Sequence, residues 1–488
     1  MGGRFQKYSE KYKKMSLAAK AALWFTLANF LVKGISFITV PLFAKYLSPS
    51  EYGKYSIYQT YQGILINFAT FEMYSGAYIR GLLRYKNDED FFTWSEQALS
   101  TLLTVIVFVI TIPFMGILIN QTETNRVIMI FTYLYFVFFP AYECWVNRKR
   151  FTYEYKPVVL STIIYTISST IVPLLAVLKI SRTSNIRIFF MLLAQVIFCL
   201  PFYIKNIHIN TLIKGNTKVK EQWKFLILFQ APSVVHALSY IILSSMDRIM
   251  IGNMVGKAEA GIYSIATTLA NVIAIFSISA NQVLKPWRYQ QMENKNYKAI
   301  KTNSTSLLLV FGSFIIIWIL VAPEALKILF SSDYTNAMWA IPPISMSVFF
   351  IFLYSMFVDI EEFFYKTKYS MYATTICAIL NIVLNYFGII IWGYIACAYT
   401  TLICYILLAV LHCVWANKAA KINNILLIDI FDLKKISAFS LLLVAIEVVI
   451  TLLYKNIYAR YGVTAVLIIA ILINFKKIYH QFKEIKNS

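Results

Sequence analysis

The chain has 488 residues, of which 59% are hydrophobic, 16% aromatic and only 14% Asp, Glu, Lys or Arg, and it carries a formal net charge of +22. Soluble domains carry about 25% charged and roughly 45–50% apolar residues, so this composition excludes an ordinary soluble enzyme, a disordered chain and a secreted disulfide scaffold, as does a mean hydropathy of +0.64. In a soluble chain such a charge would point to nucleic acid; here it reads as the lysines and arginines of cytoplasmic loops, and no nucleic-acid partner is expected.

Crossing a bilayer takes about 20 mostly apolar residues. In chain order the apolar segments run over 21–46, 55–79, 98–119, 127–146, 157–178, 186–204, 225–248, 261–284, 304–322, 338–360, 370–391, 393–415, 436–454 and 462–478. The first is too long for a signal-peptide core and reads as an uncleaved helix. The last is the weakest, with a clean apolar run only from Gly462 to Phe475. Counting Lys and Arg on alternate sides gives 33 against 10, a bias that places both termini in the cytoplasm. The expectation is an all-α integral membrane protein with about 14 transmembrane helices. No stretch between spans is long enough for a soluble catalytic domain, which counts against polytopic glycan polymerases and transferases, and no catalytic residue is assigned. No G-x-x-x-x-G-K-[ST] motif is present, so ion gradients or substrate removal must supply any energy. No cofactor is expected.

Glu51-Tyr-Gly53-Lys-Tyr55-Ser56-Ile57 follows the first span and Glu259-Ala-Gly261-Ile-Tyr263-Ser264-Ile265 the seventh. Both read E-x-G-x-Y-S-I, 208 residues apart, and each opens the second helix of a six-helix block. An even number of helices separates them, so the halves share one orientation, as parallel repeats do. The domains expected are residues 1–204 and 205–415, each a six-helix bundle, and 416–488, two additional helices and a cytoplasmic tail. Substrate is expected between the halves.

Polar residues at helical spacing mark four spans: Thr26, Asn29, Lys33 and Ser36 on the first; Ser56, Gln59, Gly63, Asn67, Thr70 and Tyr74 on the second; Ser233, His236, Tyr240, Ser244 and Asp247 on the seventh; Ser264, Thr268, Asn271, Ser279 and Gln282 on the eighth. Stripes at matching places in both halves suggest a wet cavity, although small polar residues also mediate helix packing in lipid. A charge facing lipid costs several kcal/mol. Lys33 is too deep to snorkel easily and reads as a cavity cation for an anionic substrate or as the partner of an acid such as Glu72. Asp247 lies on a polar stripe; Arg248 either serves the same cavity or snorkels. Asp359, Glu361 and Glu362 read as a solvated helix end. Glu447 has no evident role. The six cysteines, without a C-x-x-C pair, read as small core residues.

The segment Leu47-Ser48-Pro49-Ser50-Glu51-Tyr52-Gly53-Lys54-Tyr55-Ser56 resembles the signature after the first helix of Wzx-type polysaccharide flippases. These belong to the multidrug/oligosaccharidyl-lipid/polysaccharide exporter superfamily. Asp247 with Ile251 and the Glu259–Ser264 segment resembles their turn from seventh to eighth helix. Asn381-x-x-x-Asn385 with Gly388, Gly393, Ala396 and Thr400-Thr401 resembles their eleventh and twelfth helices, except that Ile390-Ile391-Trp392 stands where the family usually has a proline. The resemblance implies a flippase for an undecaprenyl-diphosphate-linked oligosaccharide in the bacterial inner membrane. Its product would feed O-antigen, capsule or a related glycan, and its partners would include a polymerase and a chain-length regulator. Lys33 and Arg248 would then meet the diphosphate, and Asn29, Gln59, Asn67 and Asn271 the sugar hydroxyls. Related lipid II flippases bind a cation at positions matched here by Asp247, Asn381, Asn385 and Thr401, with the Cys397 carbonyl beside them. That makes Na+ or H+ at these residues the expected coupling ion, with helix packing as the other reading of the two asparagines. The competing function is a drug or metabolite cation antiporter of the same superfamily.

Overall fold

In the computed structural model the chain is described at Tyr12 and over residues 15–207, 216–366 and 368–466. The expected last span, 462–478, lies mostly outside the described residues, as does the side chain of Ser36. Among the described residues every regular element is a helix. Eleven helices are long and apolar enough to cross a membrane, or twelve with one bent pair.

Two compact units divide the chain, Met1–Ile241 and Ile242–Ser488. The first holds α1 (Leu17–Tyr46), α2 (Pro49–Thr70), α3 (Gly76–Arg84), α4 (Glu89–Thr111), α5 (Met115–Thr122), α6 (Arg126–Phe151), α7 (Tyr155–Lys179) and α8 (Ser184–Lys205), with the start of α9 (Asn216–Met254). Its core gathers Tyr58, Phe136, Ile188 and Leu192, all essentially without exposure. The second holds the rest of α9, then α10 (Lys257–Ala270), α11 (Ala274–Glu293), α12 (Tyr297–Leu329), α13 (Ile341–Phe363), α14 (Lys368–Trp392), α15 (Ala396–Ile422), the single turn α16 (Leu427–Ile430) and α17 (Leu433–Leu453). Its core is one continuous body of Phe311, Phe349, Phe352, Met356, Cys377, Cys404 and Leu408. All six cysteines are free and five are buried.

Local chemistry explains where the repeat helices begin. Ser48 caps α2, its Oγ accepting from the Glu51 N–H at 3.3 Å, with Pro49 at the first helical position, where a missing N–H costs nothing. At the start of α10 the Glu259 carboxylate folds back over Gly256, where a Cβ would lie 2.3 Å from Glu259 Oε2. In both copies Tyr, Ser and Ile of the motif are buried, and the serine hydroxyl returns to a backbone carbonyl: Ser56 to Gly53 at 2.9 Å and Ser264 to Ala260 at 2.6 Å.

The second span of each half is interrupted. Residues 55–79 do not form one helix: α2 ends at Thr70, and Phe71 and Glu72 take φ of 50° and 45° before α3 starts at Gly76. Left-handed non-glycine residues cost on the order of 1–3 kcal/mol each, and a break inside a membrane needs new partners for its backbone. Those partners are present in the same unit. Asn147 donates to the Tyr74 carbonyl at 2.8 Å, and Gln230 accepts from the Ala77 N–H and donates to Ser75 Oγ, both at 3.1 Å. In the second unit α10 and α11 meet at a 41° bend around Asn271–Ile273.

The segment after α15 is pinned to α12. An added Cβ at Gly312 would lie 2.6 Å from Leu443 Cδ1 and 2.8 Å from Phe439, so α17 crosses α12 at its backbone. Tyr454 donates to the Ile319 carbonyl, and Arg460 pairs with Glu324 and donates to the Leu320 carbonyl at 3.1 Å.

Candidate functional site

The densest assembly of predicted residues lies in the second unit, where α14 and α15 meet. Asn381 and Asn385 are four apart on α14 and so share one face; both are fully buried. Gly388 continues that face, and a Cβ there would sit 3.2 Å from Ala396 Cβ and 3.4 Å from Thr400 Cγ2. The missing side chain lets α15 close on α14. The turn between them is tight, with Gly393 at φ 75°, a conformation that suits glycine. A ladder of polar groups follows from this closeness. Asn381 Nδ2 donates to Thr401 Oγ1 at 3.3 Å, and Asn385 Nδ2 to Asn381 Oδ1 at 3.0 Å. The Thr400 hydroxyl bridges Asn385 Oδ1 and the Cys397 carbonyl, the latter at 3.0 Å.

Asp247 on α9 reaches the same place. It is 3% exposed, its Oδ1 accepts from the Arg248 N–H at 2.8 Å, and its carboxylate faces the Tyr263 hydroxyl and the Cys397 side chain. The structure therefore brings the four predicted ion-coupling residues onto two adjoining structures, a carboxylate and an amide–hydroxyl ladder, linked through Cys397. The donors are a carboxylate, two amide oxygens, a hydroxyl and a carbonyl, a set of the type hard cations take. Tyr263 and Thr400 belong to this site and were not singled out from the sequence as ion-coupling residues. The repeat places Tyr263 in its motif, but only the fold turns its hydroxyl toward Asp247.

The six predicted substrate residues are dispersed. Lys33 and Asn29 are exposed on α1, and Gln59 is exposed on α2. Asn67, two turns beyond Gln59, is 1% exposed; its Nδ2 donates to the Gly63 carbonyl at 3.2 Å and its Oδ1 is left without a partner. Arg248 is half-buried, its guanidinium donating to the Ser244 carbonyl at 3.3 Å. Asn271 is exposed at the α10–α11 bend.

Several charges prove to be interior, two of them read from the sequence as part of a solvated helix end. Asp359 and Glu361 are 4% and 0% exposed, not a solvated helix end. Asp359 pairs with Arg288, itself 1% exposed on α11, and Glu362 pairs with Lys285. Glu361 faces His412 Nδ1 at 3.0 Å, with Tyr354 stacked on the imidazole. In the first unit Glu96 is fully buried, accepting from Ser100 Oγ at 2.8 Å and Cys144 Sγ at 3.0 Å. Arg187 is 5% exposed and lies over the rings of Phe43 and Tyr55, 3.8 and 3.4 Å from their centroids. Glu447 is buried on α17, where its Oε1 accepts from Thr451 at 3.1 Å. Periodicity could not have found the pairings of Asp359, Glu361 and Arg187, nor that of Glu96 with Cys144, because those partners stand on other helices.

Comparison with known proteins defines the class first. The structure superposes on the inward-closed conformation of the lipid II flippase MurJ with a TM-score of 0.62 at 14% identity, covering 90% of this chain and all of that one. It superposes on an inward-facing multidrug resistance MATE family transporter of the MOP superfamily with a TM-score of 0.61 at 12% identity, covering 80% and 96%. The chain thus shares the fold of these two membrane proteins. The chain belongs to the polysaccharide biosynthesis protein family, whose model matches residues 18–288; residues 232–387 also match the MatE model. Succinoglycan biosynthesis transport protein ExoT of Rhizobium meliloti (strain 1021) is 24% identical over 330 residues, 64% of this chain and 63% of that protein. The match thus spans less than two thirds of that relative's length. An uncharacterized membrane protein of Haemophilus influenzae is 21% identical over 298 residues, 60% of this chain and 70% of that protein. The named relative and the structural neighbours are transporters and flippases, not enzymes.

Proposed function

We propose that this protein is a flippase that carries an undecaprenyl-diphosphate-linked oligosaccharide repeat unit across the bacterial inner membrane, with both termini cytoplasmic, for synthesis of O-antigen, capsule or a related glycan. The observation that carries the reading is the family membership joined to a fold shared over the full length of a lipid II flippase. The physical task is to move a diphosphate through a low-dielectric slab, and fixed cations lower that barrier. Lys33 and Arg248 supply them. Asn29, Gln59, Asn67 and Asn271 offer amides to sugar hydroxyls, and Asn67 Oδ1 has no other partner among the described residues. Alternating access is driven by Na+ or H+ at Asp247, Asn381, Asn385 and Thr401. A cation there would draw on the carboxylate and on amide oxygens that now accept from the ladder's own hydrogens, so its arrival and the ladder's rearrangement are coupled. A polysaccharide polymerase and a chain-length regulator are the partners this reading expects.

The MatE match over residues 232–387 favours a second reading, a drug or metabolite cation antiporter. The test reconstitutes the full chain in liposomes with a fluorescent undecaprenyl-diphosphate oligosaccharide and follows its appearance in the outer leaflet. Equilibration by the wild type and its loss in Lys33→Ala support the flippase and its cation. Equal flipping by both removes Lys33 from the substrate path. An inert wild type, under imposed Na+ and H+ gradients and with several glycans, overturns the flippase reading in favour of the antiporter.

A further inference from the structure

Toward their N-terminal ends α12 and α17 part. They touch at Gly312, where Phe439 and Leu443 press on the glycine backbone; one to two turns before it a groove of about 320 Å³ opens between them. Its walls are apolar, made by Leu309, Ile436, Ala438, Phe439 and Leu442. Leu309 is 44% and Leu442 54% exposed, and Leu441 beside them is 73% exposed, so the groove opens on the surface that a bilayer covers. Its size is at the low end of the range for pockets that hold small ligands, about 300–1,000 Å³.

Charge marks one end only. Lys435 lines the groove, three quarters exposed, and pairs with Asp432 at 3.0 Å. Lys301 lies near the same Asp432 and donates to the Ile428 carbonyl at 2.7 Å. Lys298 and Lys434 are exposed on the same helix ends, with Asp429 as the other acid. Four cations against two acids leave this end positive, next to an apolar slot that is closed at Gly312. Basic pockets between transmembrane helices are a known form of lipid headgroup site.

We propose that the groove between α12 and α17 is a selective site for an anionic membrane phospholipid, one hydrocarbon chain lying against Leu309, Ala438 and Leu442 and the phosphate meeting Lys435 and Lys301. Such a lipid braces the α12–α17 contact from the leaflet that the lysine-rich ends face. This inference does not depend on what the protein transports.

The test is native mass spectrometry of the full chain in detergent, titrated with phosphatidylglycerol or phosphatidylethanolamine. The wild type should retain the anionic lipid in preference. Lys301→Gln and Lys435→Gln should each weaken its retention about fivefold, the effect of about 1 kcal/mol per lysine near an anionic headgroup. Gln at 301 keeps a donor for the Ile428 carbonyl. Ala438→Trp, at an exposed position, should fill the slot and remove the preference; Leu309→Trp fills the opposite wall if the first variant does not fold. Equal retention of both lipids by the wild type, or unchanged preference in a folded tryptophan variant, overturns the proposal. So does displacement of phosphatidylglycerol by equimolar polyprenyl phosphate, which would make the groove a site for the carrier's tail.

Discussion

The two copies of E-x-G-x-Y-S-I open the same kind of helix and bury the same three side chains, yet their tyrosines meet opposite charges. Tyr55 lies under the Arg187 guanidinium, 3.4 Å from its ring centroid, and its hydroxyl reaches Met191 Sδ at 3.7 Å. Tyr263 turns its hydroxyl to the Asp247 carboxylate. In the first unit the ring face holds a cation between aromatic planes, an arrangement that packs and rigidifies. In the second the hydroxyl holds an anion beside a ladder of exchangeable hydrogen bonds. The two copies thus share the scaffold of the helix start, while the residue opposite the tyrosine differs: a guanidinium on the ring face of Tyr55 and a carboxyl group at the hydroxyl of Tyr263.

The sharpest way to break this contrast is at Asp247. Asp247→Asn should lower ion-driven transport by roughly 10-fold or more, because it removes the charged oxygen ligand from the set, with the unfolding temperature preserved; an unchanged rate would remove Asp247 from coupling. Arg187→Leu should do the reverse, costing about 2 kcal/mol of stability, as expected for a desolvated cation–π contact, while transport per folded molecule stays the same. Thermal unfolding in detergent and the liposome assay separate the two effects.

Paired tyrosine substitutions sharpen it further. Tyr263→Phe should shift the ion concentration that half-activates transport, and Tyr55→Phe should leave it unmoved, since only the ring faces Arg187. Thr400→Val keeps the shape of the ladder but strands the buried Asn385 oxygen, which should cost about 1 kcal/mol and shift the same half-activating concentration.

The smallest effect belongs to the start of α2. Burial pushes the Glu51 carboxyl up, but Lys54 at 2.8 Å and the Ser184 N–H at 2.6 Å together hold it below its ordinary range. The hydrogen bonds that Lys54 donates to Glu51 and Glu123 push its ammonium pKa up. A depressed carboxylate stabilises the fold above its unfolded pKa, and that contribution fades as pH falls through the lower folded value. Glu51→Gln should therefore lose under about 1 kcal/mol at neutral pH, the scale of a partly exposed pair. Its stability should also fall less than that of the wild type on acidification, as read from unfolding curves at stepped pH.

Some of the site was legible in the residues themselves. Asn381 and Asn385, the glycines after them and Thr400-Thr401 were legible through the family resemblance, and they assemble on facing helices. Asp359 and Glu361 were misread because a charge at a helix end looks solvated until Arg288 and His412 arrive from other helices. The interruption at Phe71–Glu72 carries no glycine or proline to announce it; it persists because Asn147 and Gln230 supply the lost hydrogen bonds.

The sequence by itself determined the class of the molecule: a helical membrane protein, a parallel repeat whose copies begin at Glu51 and Glu259, and a polysaccharide-exporter likeness. The first two rest on composition and periodicity, which act within a few residues of chain, and the third on short motifs that resemble the family's. Tertiary structure alone decided which charges are buried and what they pair with, where the second span of each half breaks, and that Gly312 lets α17 seat against α12. Such partners lie tens to hundreds of residues apart in the chain, and only packing brings them within the few ångströms over which hydrogen bonds and ion pairs act.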